Sequence, residues 1–560
     1  MANLSKERRM RMISFLETLR EVNKDDISSL RAINEIEQAL NEKKYGLVWE
    51  EHTENVDIAS ANNILCFTEV KDKIIEFDSS KPYNFLLEGD NLYSLKVLAK
   101  THRGKIDVIY IDPPYNTGAK DWKYDNDYVD INDTYRHSKW LSFMHERLVI
   151  AKKLLKKDGV ICVTIDDYEL PTLWLLMDEL FGFENRLGTV VIRNNPKGRM
   201  NKAKVSQVHE YALFYRVNSA GGIKKIEVKP EDKSHNYILD ENGEYFVKVN
   251  LRKQGIDSEA ERPDGTLKDR YFPVYYNSKT GEISVEEAQD ITIYPIDDKG
   301  NKRIWRRDKQ GIMELFKTND LIVNKVKDKH QIYFRFRGGL DGQLPKSIWY
   351  DAKYSASEYG TRILSNLIGR EKFQYPKSLY AVEDCIRIMS NNKNAIILDF
   401  FAGSGTTGHA VIDLNKIDGG NRKYILCTNN ENNICEEVTY QRLKNIQDEL
   451  PHNLKYFKTS LIEKKLNQSL LLELLPHIKT LVELEHACNV DTSSMRIFLD
   501  EVEFDEFMNK ENQIKLAKIF LASDILLSAE QEQMLVKSKC DIIRIPEYYY
   551  RDELIESGDI

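Results

Sequence analysis

Short, dense apolar runs alternate along the chain with segments whose apolar residues recur at helical spacing. The runs at residues 106–111, 159–165 and 395–401 are typical of buried parallel strands, and helical patterns cover residues 91–100 and 380–389. Further strands are expected at residues 85–90, 189–192, 209–216 and 423–428. Strands that alternate with helices predict an α/β fold with a mostly parallel, doubly wound sheet.

Helical patterns dominate the two ends of the chain. Residues 4–44 predict a pair of amphipathic helices, the second over residues 27–40, which either pack on the core or form an interaction arm. After about residue 450 the pattern is mostly helical, with apolar stripes at residues 469–482 and 514–527. These stripes suit a helical partner or the protein's own core, so the C-terminal region is a candidate dimer or partner interface.

The middle of the chain has a different character. Between about residues 222 and 343 short aromatic and β-branched runs alternate with Asp-Gly, Asn-Gly, Lys-Gly and Thr-Gly turns, which predicts an inserted, mixed α+β domain. The sequence therefore predicts an N-terminal helical region at residues 1–60 and a C-terminal helical region at residues 451–560. The α/β domain between them has its first half at residues 61–220 and its second half at residues 366–450, with the insert at residues 221–365.

Composition limits the class of protein. With 560 residues, 41% of them hydrophobic, the chain is long enough for two to four domains. It has no run of eighteen apolar residues and no apolar stretch behind the basic N-terminus, so neither a membrane span nor a secretory signal is expected. Seven cysteines without a CxxC pair predict neither a zinc site nor a disulfide framework, which favours a cytoplasmic location. The net charge is −8, so binding to phosphates would depend on local basic patches.

A glycine-rich turn follows one buried strand, in the sequence AIILDFFAGSGTT at residues 395–407. Glycine lets the backbone approach a ligand, and the following helix offers free N–H groups. A phosphate-binding loop is the alternative, but the glycines are not followed by Lys-Ser/Thr and do not have GxGxxG spacing. Asp399 beside the turn suits a positively charged amino acid group better than a phosphate.

A second turn follows another buried strand, in the sequence IDVIYIDPPYNTG at residues 106–118. Pro113 and Pro114 fix the backbone and remove two N–H donors, which leaves the preceding carbonyls as acceptors. An exocyclic amine needs such acceptors for its hydrogens, and Tyr115 can stack on a base taken out of a duplex. The alternative is a rigid strand-exit turn, which Pro-Pro alone would satisfy.

Together the two motifs resemble the signature pair of amino-methyltransferases that act on DNA, and their order, with DPPY first, resembles the β group of that family. The segments LLEGDNLYSLKVL, YPKSLYAVEDCIRI and ICEEVTYQRL also resemble the Mod subunit of Type III restriction-modification systems. The resemblance implies a Rossmann-like, seven-stranded methyltransferase sheet in circularly permuted motif order, with the motif strands side by side and the insert as target-recognition domain. It also implies S-adenosylmethionine as the methyl donor.

The resemblance assigns roles to individual residues. Asp112 and the Pro113 carbonyl accept hydrogen bonds from the target amine, Pro114 holds the turn, and Tyr115 stacks on the flipped base. Cofactor binding is implied for Asp399, Phe400, Phe401, Ala402, Gly403, Ser404, Gly405 and Thr406. Weaker cofactor candidates are Lys377, Ser378 and Asp90, for which a helix N-cap is the alternative. In relatives, an acidic residue at the end of the second strand binds the ribose hydroxyls of the cofactor. The strand at residues 423–428 does not end in such a residue, so the candidates for ribose binding are Asn430 and Glu431.

Two basic segments are candidates for DNA binding. The stretch at residues 193–204 has five basic and no acidic residues, which favours a loop that follows phosphates over a merely solvated one; these residues are Arg193, Lys197, Arg199, Lys202 and Lys204. In the insert, basic residues alternate with aromatic ones at Arg306, Arg307, Arg335 and Arg337, which either contact bases or lie on exposed strand faces. His209-Glu210 lacks a second ligand at metal-binding spacing, so a structural pair is expected.

The leading hypothesis is an adenine-N6 methyltransferase of double-stranded DNA that serves as the Mod subunit of a Type III system. The resemblance implies a homodimer that binds a restriction subunit. Because this chain carries no helicase or nuclease motif, DNA cleavage would require that second protein. The alternatives are cytosine-N4 methylation, methylation of RNA or protein amines, a stand-alone methyltransferase, and a DNA-recognition protein that no longer methylates. The aspartate of DPPY favours adenine, and the large insert with the basic loop favours DNA.

Overall fold

The computed structural model divides the chain into two compact units. The large unit comprises Met1–Lys224 and Lys346–Ile560, and the inserted unit comprises Lys225–Pro345. The structure describes residues 4–24, 26–41, 49, 54–116, 136–198, 205–226, 237–326, 329–338, 342–464, 470–490, 492, 494–510, 516–551 and 555.

The α-helices and strands alternate through most of the large unit. The α-helices are α1 (Leu4–Val22), α2 (Ile27–Asn41), α3 (Asn55–Asn62), α4 (Asn91–Thr101), α5 (Arg136–Leu154), α6 (Leu170–Phe181), α7 (Lys309–Lys317), α8 (Arg362–Ile368), α9 (Leu379–Met389), α10 (Thr406–Asp418), α11 (Tyr440–Asn445), α12 (Leu470–His486), α13 (Glu501–Lys510) and α14 (Ala529–Lys537). The strands are β1 (Asn63–Glu69), β2 (Tyr83–Glu88), β3 (Ile106–Ile111), β4 (Leu155–Ile165), β5 (Arg186–Ile192), β6 (Glu210–Arg216), β7 (Tyr237–Leu239), β8 (Tyr245–Asn250), β9 (Val274–Tyr276), β10 (Ile283–Ser284), β11 (Ile291–Ile293), β12 (Leu321–Val326), β13 (Lys329–Phe336), β14 (Ile348–Trp349), β15 (Ile396–Asp399), β16 (Lys423–Thr428), β17 (Asn453–Glu463), β18 (Met495–Phe498), β19 (Lys518–Leu521) and β20 (Asp541–Arg544).

The main sheet has the order β1-β17-β2-β16-β15-β3-β4-β6-β5-β14. Its strands β3 and β15 are parallel neighbours, with Val108 opposite Ile397. Both motif turns therefore leave the same edge of the sheet, as the family resemblance implied. The apolar runs form these strands because the sheet is covered on both faces: Ile106, Ile109 and Ile111 are fully buried. The predicted α/β fold with a mostly parallel sheet is confirmed.

Strand β6 runs antiparallel to β4, with Tyr211 opposite Ile165. Because the two strands point in opposite directions, the first residue of β6 lies beside the carboxyl end of β4. This geometry brings Glu210 to the edge where the two motif turns lie. A residue that begins a strand thus reaches the same place as residues that follow other strands.

The sheet is larger than the predicted seven strands. The seven adjacent strands from β2 to β5 have the expected arrangement, and β1, β17 and β14 extend the two sides. Strand β14 pairs in parallel with β5. Residues 346–365 therefore belong to the large unit, whereas the sequence analysis assigned them to the insert.

The C-terminal region contains strands as well as helices, whereas the sequence predicted a mostly helical region. Strand β17 pairs with both β1 and β2 in the main sheet, and β18, β19 and β20 form a separate parallel sheet. The helix expected at residues 514–527 is wrong, because Lys518–Leu521 forms the central strand of that small sheet. Ile519, Phe520 and Leu521 are fully buried there. A short apolar run fits a buried strand as well as a buried helix, so periodicity alone could not separate them.

The inserted unit has its own core. It contains a four-stranded sheet, β12-β13-β8-β7, a three-stranded sheet, β10-β9-β11, and helix α7. Trp305 is almost fully buried, and its indole N–H donates to the Phe272 carbonyl oxygen at 2.9 Å. Leu251, Val274 and Ile312 pack in the same cluster. The mixed α+β character agrees with the pattern of short runs and turns in the sequence.

A buried ion cluster joins β17 to β1 and α12. The Lys455 Nζ lies 2.6 Å from Glu69 Oε1 and 2.7 Å from Glu483 Oε1, and the side chains of Lys455 and Glu483 are fully buried. Removal of one partner from such a cluster leaves uncompensated buried charge. We therefore expect Lys455→Met to lower the free energy of unfolding by about 3–5 kcal/mol, measured by urea denaturation.

The matched control is Lys510→Met, which removes a lysine from an exposed helical pair with Glu506. This change is expected to cost less than about 0.5 kcal/mol. A Lys455→Met protein as stable as the control would contradict the structural role of the cluster.

Candidate active site

A cavity of about 920 Å³ opens at the edge of the sheet where β3, β15 and β16 end. Its size is within the range of small-molecule and cofactor sites. Both motifs line it, with Asp112, Pro113, Pro114 and Tyr115 from one and Asp399, Phe401, Ala402, Gly403, Ser404, Thr406 and Thr407 from the other. Segments almost three hundred residues apart in sequence therefore share one site.

The carboxylate of Asp399 is buried at the end of β15. Its Oδ1 accepts from the Phe401 backbone N–H at 2.9 Å, and its Oδ2 accepts from the Thr407 hydroxyl at 2.5 Å. Burial raises the pKa of Asp399 to about 7, although these two hydrogen bonds favour the charged form. Since both donors are neutral, a bound ammonium group would offset the burial of this carboxylate.

The glycine turn is held from outside by α11 and the residue before it. The Thr439 hydroxyl donates to the Gly403 carbonyl oxygen at 2.6 Å, and Arg442 Nη1 donates to Thr406 Oγ1 at 2.8 Å. The backbone of Gly405 is left-handed, with φ of 73°, and a Cβ there would lie 3.1 Å from Thr439 Cγ2. The segment ICEEVTYQRL contains both supporting residues, but sequence reasoning assigned them no role.

A further contact connects the glycine turn to α4. Phe400, predicted to bind the cofactor, has a fully buried side chain, and its carbonyl oxygen accepts from Asn91 Nδ2 at 2.7 Å. Arg147 Nε in turn donates to Asn91 Oδ1 at 2.5 Å. Asn91 therefore links the start of α4 to the turn after β15.

The DPPY turn is fixed by hydrogen bonds from β4 and α5. Asp112 Oδ1 accepts from the Thr164 hydroxyl at 2.7 Å and from the Tyr115 hydroxyl at 2.8 Å. The Trp140 indole N–H donates to the Pro114 carbonyl oxygen at 2.8 Å. With the Pro114 carbonyl engaged, the Pro113 carbonyl is the backbone acceptor expected to face a ligand.

Lys377 and Glu210 complete this side of the cavity. The Lys377 Nζ lies 3.0 Å from Asp112 Oδ1 and 2.6 Å from Glu210 Oε2, and it also donates to the Tyr115 hydroxyl. Lys377 was a cofactor candidate from sequence, but the structure places its ammonium on the DPPY turn. Sequence reasoning assigned Glu210 only a structural role, because its position depends on the antiparallel direction of β6.

The weaker cofactor candidates have other partners. Asp90 caps α4 by accepting from the Leu92 backbone N–H at 2.7 Å, which is the alternative role given for it. The Ser378 hydroxyl donates to the Lys353 carbonyl oxygen at 2.7 Å, and Asn430 Oδ1 accepts from the Glu436 backbone N–H at 3.2 Å. From the last residue of β16 onward, the residues of this segment that line the cavity are Thr428, Asn429, Asn432 and Ile434, a set that contains neither Asn430 nor Glu431.

The structure locates part of the basic loop. Arg193 and Lys197 are exposed, and Asn194 and Asn195 between them line the cavity. The predicted DNA contacts Arg199, Lys202 and Lys204 lie outside the described residues.

In the inserted unit the predicted arginines have different surroundings. Arg337 Nη1 lies 2.6 Å from both Asp240 and Glu244, and Arg335 also pairs with Asp240, at 3.7 Å. Arg306 Nε donates to the Asn250 carbonyl oxygen at 3.0 Å, whereas Arg307 is exposed. Arg307 is therefore the most accessible of the four arginines. DNA contacts by the inserted unit stay a prediction.

His209 and Glu210 each contact other side chains in the described part of the chain. His209 Nε2 lies 2.9 Å from the Tyr211 hydroxyl, and Glu210 belongs to the cluster around Asp112. Across the described segments, no group of three or more His, Cys, Asp or Glu side chains is arranged to hold a metal ion. In the same segments, no helix has the length and apolarity that crossing a bilayer requires.

Comparison with known proteins assigns the chain to a family. A family described as DNA methylase matches residues 106–439, which is more than half of the chain. The Type II methyltransferase M.KpnI of Klebsiella pneumoniae is 36% identical over 67% of this chain and 90% of that protein. The Type III EcoPI Mod subunit of Escherichia phage P1 is 33% identical over 72% of this chain and 66% of that subunit. The resemblance to Mod subunits is thereby confirmed.

The length of the match differs among the relatives. This chain spans 57% of the StyLTI Mod subunit of Salmonella typhimurium, at 28% identity. Among solved structures, the cytosine-N4-specific PvuII DNA methyltransferase aligns at 12% identity over 66% of this chain and 94% of that chain, with a TM-score of 0.34. The family match and the relatives show that the chain belongs to the DNA methylase family and is an S-adenosylmethionine-dependent DNA methyltransferase.

Proposed function

We propose that the chain methylates N6 of adenine at a specific site in double-stranded DNA, as the modification and recognition subunit of a Type III restriction-modification system. The observation that carries the proposal is the single cavity lined by both the DPPY turn and the glycine turn. The Mod subunits among the relatives support the association with a restriction system. A homodimer and a separate restriction subunit belong to the same proposal.

The glycine turn fits the cofactor. Asp399 is a buried carboxylate with neutral hydrogen-bond donors, which suits the ammonium group of the methionine end. Gly403 lines the cavity with a positive φ and no side chain, which allows a close approach of the ligand, whereas Gly405 allows the turn to pack closely against Thr439. Thr428, the last residue of β16, and Asn429 line the cavity and are the proposed ribose contacts. S-adenosylmethionine bound there supplies an electrophilic methyl group.

The DPPY turn fits an exocyclic amine. The carboxylate of Asp112 and the Pro113 carbonyl accept its hydrogens, so the nitrogen lone pair is directed toward the cofactor. Tyr115 stacks on the extruded base, which is held in the cavity away from the duplex. Positioning and exclusion of water then do most of the catalytic work. Arg193 and Lys197, beside the cavity, are proposed phosphate contacts.

The target base is tested by single-molecule sequencing of DNA from cells that express the chain. We expect N6-methyladenine at one short motif and none in cells that express the Tyr115→Ala variant. N4-methylcytosine at the motif would show that the target base is cytosine and not adenine. The absence of any modified base in both samples would contradict the proposed activity.

A stand-alone methyltransferase is the second candidate, because the Type II enzyme M.KpnI is matched over 90% of its length. The same sequencing experiment separates the two. An asymmetric motif methylated on one strand supports the Type III subunit, whereas a palindromic motif methylated on both strands supports the stand-alone enzyme. Co-purification of a helicase-nuclease protein with the tagged chain from its native cells would also support the Type III proposal.

The affinity for the cofactor is expected to depend on pH through Asp399. Burial raises its pKa to about 7, so the carboxylate is protonated below that pH and cannot pair with the ammonium of the ligand. The dissociation constant should be lowest between about pH 7 and 8, rise by about tenfold for each pH unit below 7, and rise again above about pH 8, where the α-amino group of the ligand loses its proton. Isothermal titration calorimetry with S-adenosylmethionine between pH 5.5 and 8.5 measures this. Asp399→Asn should bind weakly without the pH dependence; a flat profile for the unmodified chain would contradict the assignment.

A further inference from the structure

The ammonium of Lys377 lies between two carboxylates and a phenol. Its Nζ is 3.0 Å from Asp112 Oδ1 and 2.6 Å from Glu210 Oε2, and it donates to the Tyr115 hydroxyl. The Tyr115 hydroxyl is 2.8 Å from Asp112 Oδ1 and 3.2 Å from Glu210 Oε2. Asn194 Nδ2 holds the same Glu210 oxygen at 2.8 Å. Lys377 and Glu210, here called the Lys377–Glu210 pair, thus contact both functional groups of the DPPY turn.

Charge explains why the pair matters. The side chain of Lys377 is 13% exposed and that of Glu210 is 4% exposed, so solvent screens these groups little. Burial lowers the pKa of Lys377, but the carboxylates of Asp112 and Glu210 outweigh burial and raise it. The amine therefore stays protonated at neutral pH. Without this cation, two negative carboxylates would share one hydroxyl, and like charges so close favour the uptake of a proton by one of them.

The protonation state of Asp112 decides what it can do. An ionised carboxylate only accepts hydrogen bonds, whereas a protonated one also carries a donor hydrogen. Thr164, Tyr115 and Lys377 all reach Oδ1 of Asp112, so Oδ2 is the oxygen assigned to the target amine. Burial raises the pKa of Tyr115, so its hydroxyl keeps the hydrogen that it donates. Loss of the cation would therefore disturb the acceptor and the orientation of the aromatic ring together.

Other charged groups of the cavity do not replace Lys377. Of the described lining residues, Lys372 is paired with Glu437 at 2.9 Å. The cavity is also lined by other titratable residues, namely His209, Tyr110, Tyr375, Asp166, Glu371 and Asp399. The phenols and carboxyl groups among them are neutral or negative, so none of them can replace the positive charge of Lys377.

We propose that the Lys377–Glu210 pair positions the DPPY turn for methyl transfer: Lys377 keeps Asp112 ionised and holds the Tyr115 hydroxyl, and Glu210 anchors Lys377. Both are positioning residues, because they act through Asp112 and Tyr115. The proposal rests on the proposed function of this site. It differs from the role that the sequence suggested for Lys377, which was a contact to the cofactor.

The test compares variants of the full chain in methyl transfer to DNA at saturating cofactor. Lys377→Met should lower kcat by roughly 100-fold at pH 7, the size of effect seen when one preorganised donor is removed from an active site. Its kcat should rise with pH as the shared proton is lost, and the cofactor dissociation constant should stay within about twofold of wild type. Lys377→Arg keeps the charge and should show no such rise. In the double variant Lys377→Met/Glu210→Gln, kcat should recover by about tenfold, because removal of the second carboxylate relieves the repulsion.

The matched control is Lys156→Met, a lysine of β4 whose ion pair with Asp107 at 2.8 Å lies at the other edge of the sheet. It should keep wild-type kcat. A Lys377→Met protein with wild-type kcat would overturn the proposal, as would a loss expressed only as weaker cofactor binding. A loss without pH dependence and without recovery in the double variant would assign Lys377 a merely structural role. If the wild-type chain transfers no methyl group to any DNA, the proposed function fails first, and that result is separate from all of these.

Discussion

Tyr115→Ala is expected to lower the rate of methyl transfer to DNA by roughly 100-fold or more, while Tyr115→Phe stays within about tenfold of wild type. The ring lies at the DPPY turn and lines the cavity, so it can stack on an extruded base. Stacking of a base on an aromatic side chain contributes about 1–3 kcal/mol, and alanine also leaves Asp112 without one of its donors. Phenylalanine keeps the stacking surface and loses only the hydroxyl.

The rates are measured with a DNA duplex that carries the recognised motif, and base extrusion is followed by 2-aminopurine fluorescence at the target position. The fluorescence increase should be lost in Tyr115→Ala and kept in Tyr115→Phe. Equal rates for wild type and Tyr115→Ala would contradict a stacking role. Equal loss in both variants would assign the function to the hydroxyl rather than to the ring.

Gly405→Val is expected to weaken S-adenosylmethionine binding by about 100-fold, because a displacement of the turn by about 1 Å can have an effect of that size. Gly405 has a φ of 73°, and its Cβ would lie 3.1 Å from Thr439 Cγ2 and 3.6 Å from the Cα of Thr439. The added side chain must therefore push against the segment that holds the glycine turn through the Thr439 hydroxyl.

The control for backbone strain lies at the other end of the same helix. Gly419 ends α10 with a φ of 67°, and among the described residues no heavy atom lies within 4 Å of the position that a Cβ would occupy there. Gly419→Val should lower stability by about 1–2 kcal/mol, the cost of a left-handed conformation, without changing cofactor affinity. Calorimetric titration and thermal denaturation of both variants separate the two effects. Equal cofactor affinities would contradict a binding role for the turn after β15.

Local sequence patterns predicted the central strands well. The run at residues 106–111 became β3 with the same bounds, and the run at residues 423–428 became β16. These strands are covered on both faces, so nearly every residue in them must be apolar, and the pattern is strong. Asp112 and Asp399 lie at the ends of such strands, but it was the family resemblance, and not the local pattern, that implied that the two strands are neighbours.

The supporting residues could not be predicted, because they depend on contacts between distant segments. Glu210 reaches Asp112 only because β6 is antiparallel to β4, and strand direction is not encoded in a run of apolar residues. Lys377 precedes α9 and is brought to Tyr115 by the packing of the whole sheet. The strand at Lys518–Leu521 was missed for a different reason: it is short and apolar, and such a run fits either a helix or a strand.

The central claim is that this chain transfers a methyl group to N6 of adenine in DNA through the DPPY turn. Its most direct test incubates the purified chain with isotopically labelled S-adenosylmethionine and double-stranded DNA, followed by mass spectrometry of the released nucleosides. We expect label in N6-methyladenine with the wild-type chain and none with Asp112→Ala, whose cofactor affinity should be unchanged. Label in N4-methylcytosine, or equal labelling by Asp112→Ala, would contradict the claim.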